Sequence, residues 1–162
     1  MSEGDEVMKA EYINPFIIAA RQVLVTEIGT EINIGQLSLD PAIMTDMDVK
    51  VNIGVTGTLE GIVFYGMSRK TACDITSTMM GGEPVAEVDE MVHSAIAELG
   101  NVISGVATGV FEGQGIRTDI TTPTVVVGEK VAIKTMSLKP ILVNLDCSYG
   151  KIILAVALRE GN

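Results

Sequence analysis

The chain has 162 residues, enough for one domain with a core of its own. Apolar residues make up 47% and aromatic residues only 4%, with no Trp, so the core must be aliphatic and few rings remain to stack on bases. A formal net charge of −10 repels phosphate backbones, which argues against nucleic acid and favours a partner with a basic face.

Residues 1–9 (MSEGDEVMK) lack the basic-then-apolar order of a secretion signal and are expected to form a flexible tail ahead of a single domain over 10–162. Asn14-Pro15 predicts a helix start, with Asn14 as the cap and Pro15 at the first helical position. Phe16, Ile17, Ala20, Val23, Leu24 and Ile28 are spaced to pack inward, and Gly29 supplies a stop. Residues 31–38 alternate around Ile32, Ile34 and Leu37 and predict a strand; Asp40-Pro41 opens a loop to residue 48. Residues 49–58 and 61–66 read as the two arms of a hairpin, Val51, Ile53 and Val55 alternating with Asn52, Gly54 and Thr56.

Ser68 caps a second helix with Ala72, Cys73, Ile75, Thr76 and Met79 inward, and Gly81-Gly82 ends it. Pro84 keeps residues 83–88 out of a helix, and Asp89 then caps a long one running to residue 113. Strands are expected at 124–128, 131–136, 141–147 and 151–158, the last two joined at Tyr149-Gly150. The order αβββααβββ, with room for one more strand, is an α+β fold: a largely antiparallel sheet of about six strands with helices packed on one face. The longest apolar run, IILAVAL at 152–158, has strand length and falls short of the ~18 residues of a membrane span. The cytoplasm is the expected compartment. Cys73 and Cys147 fit two reduced, buried thiols there, and His93, the one histidine, is expected to be solvated.

The chain is organised around the helix at 89–113. Val92, Ile96, Leu99, Ile103, Val106 and Val110 form its apolar stripe, and Glu90, Ser94, Glu98, Asn101, Gly105 and Thr108 lie opposite. Ser94, Glu98 and Asn101 stand at i, i+4 and i+7 and line up about one turn apart. Nucleophilic catalysis by Ser94 lacks a suitable base and a Gly-x-Ser-x-Gly elbow. A metal site from Asp89, Glu90 and Glu98 lacks His or Cys support, and no cleft is marked for a pair of glycosidase carboxylates. What the face suits is a partner's chemistry: a carboxylate can pair with a partner lysine, and a carboxamide can hold a water in line with a phosphoryl group. From composition alone it also reads as a merely solvated face. Glu11 and Asn14 repeat the Glu-x-x-Asn spacing, but there Asn14 is expected to be engaged as a cap, and Val7 stands where a Ser would complete the pattern.

The longer pattern Ser-x-x-x-Glu-x-x-Asn, with Pro123 downstream, comes with EYINPF at 11–16, MGGEPV at 80–85, SAIAELGN at 94–101 and TPTVVVGE at 122–129. With these motifs in this order the chain resembles the CheC/CheX/FliY family of chemotaxis phosphatases, its CheX branch most closely. The resemblance implies an enzyme that hydrolyses the aspartyl phosphate of a CheY-type response regulator. Glu98 would engage the regulator's lysine, Asn101 would orient the attacking water, and Ser94 would support them. It also implies a homodimer, no cofactor bound by this chain, and Mg²⁺ held by the partner. A non-catalytic module of the same fold, docking on a receiver domain or a flagellar-switch protein, is the alternative.

Overall fold

The computed structural model describes residues 6–128 and 138–161, so the strand expected at 131–136 lies outside the described residues. The first described element is a short strand, Glu6–Val7 (β1), inside the stretch 1–9. A 3-10 turn at Ala10–Tyr12 then runs directly into α1 (Asn14–Ile28). This corrects the reading of Asn14 as a cap. Ile13 occupies the cap position in a helical conformation, and no side chain bonds to the helix end. The 3-10 turn replaces the cap: Tyr12 and Ile13 donate to Lys9 O and Ala10 O, and Ile13 O accepts from Phe16 and Ile17. Gly29 closes α1 in the left-handed conformation, φ 64°, as its place after the last periodic residue predicts.

The expected strand at 31–38 is β2 (Asn33–Ser38), but it is an edge strand and exposed. Its register shifts between Ile34 and Leu37, and both side chains remain in solvent; Ile32, just before it, is buried. The loop that follows holds one helical turn, α2 (Ala42–Thr45). The predicted hairpin is β3 (Val49–Gly57) with β4 (Leu59–Met67), paired from Val49↔Met67 to Val55↔Gly61. Ser68 caps α3 (Arg69–Met79) through its side chain, which accepts from the Thr71 N–H. After α4 (Glu90–Gly113) come β5 (Thr118–Ile120), which periodicity did not reveal, β6 (Thr124–Val127), β7 (Leu138–Lys139), β8 (Ile141–Cys147) and β9 (Gly150–Glu160).

Among the described residues seven strands make one antiparallel sheet in the order β2-β8-β9-β4-β3, with β5 and β6 both along the far side of β3. β1 and β7 form a separate parallel pair. One face of the sheet, through Val51, Ile53, Val63 and Tyr65, packs with α1, α3 and α4 into the main core. The other face carries a smaller cluster, Met44, Phe64, Leu142, Ile153 and Ala155, closed by α2. Close approach there requires Gly66, where a Cβ would strike the Met44 sulfur. On this second face Lys50 is buried and donates to the Met47 carbonyl; its burial pulls its pKa below the ordinary 10.5, against the opposing pull of Asp48.

Tyr149, in the β8–β9 turn, ties the helices to the sheet's end. Its hydroxyl donates to Ile28 O (3.1 Å) and meets Thr78 Oγ1 (2.8 Å), while its carbonyl accepts from Thr71 Oγ1 (2.8 Å). By length and composition α4 could cross a membrane, with a mean hydropathy of 1.3 over its most apolar window. Its apolar side is instead buried in the core with α1, α3 and β3.

Candidate functional site on the outer face of α4

The Asp89 carboxylate accepts from the Val92 N–H at 3.1 Å and starts α4 where the sequence predicts. The helix wedges between α1 and the β3–β5 side of the sheet. With neighbours on two sides its buried arc is wider than a single stripe, and it is rotated from the expected one. Val92, Ile96, Leu99 and Ile103 are buried as expected; Gly100, Ser104, Ala107 and Phe111 join them, and Val106 and Val110 are only half-buried. Phe111 fixes the far end by meeting Phe16 of α1 edge-on, ring centres 5.8 Å apart.

The opposite arc carries the predicted residues. Glu90, Ser94, Glu98 and Gly105 are exposed, and Asn101 and Thr108 are half-buried. Thr108 is turned inward to its own helix, its hydroxyl donating to Gly105 O at 2.6 Å. Ser94, Glu98 and Asn101 share one face, successive members about 6 and 4.5 Å apart along the axis. Among the described residues no side-chain hydrogen bond or ion pair engages any of the three. A carboxylate and a carboxamide with free hydrogen-bonding capacity therefore stand side by side on a rigid support. His93, on the flank, is exposed. Cys73 is buried, with its thiol pKa raised by that burial and by Asp74 and Asp89, so it is a poor nucleophile; Cys147 is a half-buried free thiol.

The face is convex. A groove of about 730 Å³ between α3 and residues 85–88 is lined by Arg69, Lys70, Cys73 and Asp74 on the α3 side, and it contains none of the three residues. A side-chain pair on the outer side of a single helix does not by itself enclose a small substrate. It can enter the cleft of another protein.

Sequence reasoning missed what lies under this face. Ser104, a polar residue in the buried arc, meets the hydroxyl of Tyr65 on β4 at 2.8 Å, and both are buried. Burial drives the Tyr65 pKa up, with the Ser104 bond opposing. The available signal was a lone serine at the i+8 position from Ile96, on the same side as the apolar stripe.

Residues 49–145 match the family described as "Chemotaxis phosphatase CheX". The CheY-P phosphatase CheX of Thermotoga maritima is 36% identical over 128 residues, which cover 79% of this chain and 83% of that protein. A CheC-like superfamily protein from Shewanella sp. PV-4 superposes with a TM-score of 0.85 at 26% identity, covering 94% of this chain and 99% of that one. The CheX-CheY-BeF3-Mg+2 complex from Borrelia burgdorferi matches with a TM-score of 0.80 at 29% identity, covering 94% and 100%. The family match and these likenesses agree, and the chain belongs to the chemotaxis phosphatase family CheX.

Proposed function

We propose that this phosphatase hydrolyses the aspartyl phosphate of a CheY-type response regulator, acting in chemotaxis signal termination, and does so with the outer face of α4. The observation that carries the proposal is the pair Glu98 and Asn101, adjacent on one helix face and without an internal hydrogen-bond partner. A residue needed to stabilise its own fold would be engaged; these are free to engage a partner. Support for the substrate comes from the Thermotoga relative, named a CheY-P phosphatase, and from the Borrelia relative, found in complex with CheY, BeF3 and Mg+2.

In this mechanism Glu98 reaches a lysine at the regulator's phosphorylation site and fixes the docked geometry. The Asn101 carboxamide, on a shorter and half-buried side chain, enters the site and holds a water in line with the acyl phosphate. Ser94, one turn before Glu98, supports the docked face. Phosphoryl transfer needs mainly alignment and charge compensation, so one well-placed water-orienting group is enough to accelerate it. Mg²⁺ belongs to the regulator and compensates phosphoryl charge there; this chain supplies no cofactor. The protein acts in the cytoplasm with its substrate, as a homodimer presenting two α4 faces. The exposed β2 edge, with Ile34 and Leu37 in solvent, is consistent with pairing between copies.

The test is the decay of a phosphorylated CheY-type regulator encoded beside this chain, in Mg²⁺, with wild type and with Asn101→Ala. Wild type is expected to accelerate decay, and Asn101→Ala to lose about 10²-fold or more of that acceleration while still binding. Basal decay with both proteins, together with measurable binding, would refute catalysis and leave a docking module.

A further inference from the structure

The helix that carries Glu98 and Asn101 rests on the sheet through a residue with no side chain. Gly100, between them in sequence, is buried. A Cβ there would lie 3.1 Å from Val51 Cγ1, 3.3 Å from Tyr65 Cδ2 and 3.6 Å from Ile53 Cδ1, and the first two separations are tighter than ordinary carbon contacts. One turn later Ser104 bonds the Tyr65 hydroxyl. Gly100 and Ser104 thus hold the helix to the same tyrosine at two points. The first sets the height of α4 above β3 and β4, and the second opposes rotation about its axis.

We propose that Gly100 is a positioning residue for the phosphatase reaction: its missing side chain sets the depth to which Asn101 reaches into the regulator. The inference rests on the function proposed above. Its physical content is a difference between two side chains. Glu98 is exposed and long, and its torsions absorb a shift of a few tenths of an ångström while its ion pair is kept. Asn101 is shorter and half-buried, and the water it holds must stay within hydrogen-bond range of the carboxamide and in line with the phosphorus at attack distance. Raising the helix therefore impairs the chemical step and leaves docking intact.

The experiment measures kcat and KM for dephosphorylation of the regulator by wild type, Gly100→Ala, Val51→Ala, the double variant and Asn101→Ala, with thermal unfolding of each. Alanine is the better helix former, so Gly100→Ala is expected to fold. It should lower kcat about tenfold, as a sub-ångström misplacement of an aligned group does, with KM within about twofold of wild type. Val51→Ala removes the nearer of the two atoms that crowd the new Cβ, leaving the Tyr65 ring edge as the remaining tight contact. Alone it should leave kcat near wild type, and in the double variant it should restore kcat to within about threefold. The inference is overturned if Gly100→Ala keeps wild-type kcat, if kcat and KM worsen together, or if Val51→Ala gives no rescue. The function reading fails separately, and takes the inference with it, if wild type does not accelerate decay or Asn101→Ala is as fast as wild type.

Discussion

Exchanging Tyr65 for Phe removes one oxygen from beneath α4 and nothing else. The lost bond to Ser104 is 2.8 Å long between two buried groups, so neither can turn to solvent. The two single variants should differ. In Tyr65→Phe the Ser104 hydroxyl can rotate toward the carbonyl one helical turn back, and the cost is about 1 kcal/mol. In Ser104→Ala the phenol keeps its oxygen in the core without a partner, and the cost is about 2 kcal/mol. The double variant has no orphaned group, so it should be more stable than the sum of the singles implies, with a coupling of about 1 kcal/mol. For a chain of this length, melting should fall by about 2–4 °C in the first variant and about 4–8 °C in the second. With no Trp in the chain, far-UV circular dichroism during heating is the suitable readout. The tyrosine's pKa is raised by burial, so its contribution is fully present below pH 10.0 and is lost as pH climbs from there toward the folded value. Singles that melt like wild type, or a double variant equal to their sum, would refute the bond as a support for α4.

Leu99→Ala, on the buried side of α4, should destabilise by about 2–5 kcal/mol in urea unfolding, whereas Glu98→Ala should move stability by less than about 0.5 kcal/mol and weaken regulator binding instead. Asp89→Ala removes the carboxylate that holds the Val92 N–H and should cost about 1 kcal/mol in the same assay. Lys50 binds its proton less tightly folded than unfolded, so between its lowered folded pKa and 10.5 the unfolded chain holds more protons. Wild type should therefore gain stability with rising pH across that window relative to Lys50→Met, which equilibrium unfolding at a series of alkaline pH values will measure.

The elements that sequence reasoning located correctly are those decided within a few residues. Ser68 and Asp89 cap their helices because a side-chain oxygen reaches an N–H three residues on, and Gly29 and the β8–β9 hairpin depend on equally local geometry. The outer face of α4 was legible for the same reason, since Ser94, Glu98 and Asn101 follow helical spacing alone. Asn14 was misassigned because a 3-10 turn ahead of the helix supplies the carbonyls that a cap would have replaced. β5 was missed because three residues carry no period, and their strand state comes from pairing with residues 55–57 of β3. The true inward arc of α4, with Gly100 and Ser104 in it, follows from Tyr65 across the sheet, and helical spacing holds no record of that neighbour.

β9 is made after every other described strand, yet it lies in the middle of the sheet, between β8 and β4. Leu59 waits for Glu160, and Tyr65 for Leu154. On the ribosome the β3–β4 hairpin and the helices emerge with β4 still presenting a bare edge, the condition under which nascent chains associate wrongly. Contacts of such long sequence separation also make folding slow. A chain clipped before β9 loses the centre of its sheet, and β4, which carries Tyr65 beneath α4, loses its pairing partner on that side. β9 must therefore be made before the outer face of α4 has a settled support, and products truncated ahead of it should lack that support.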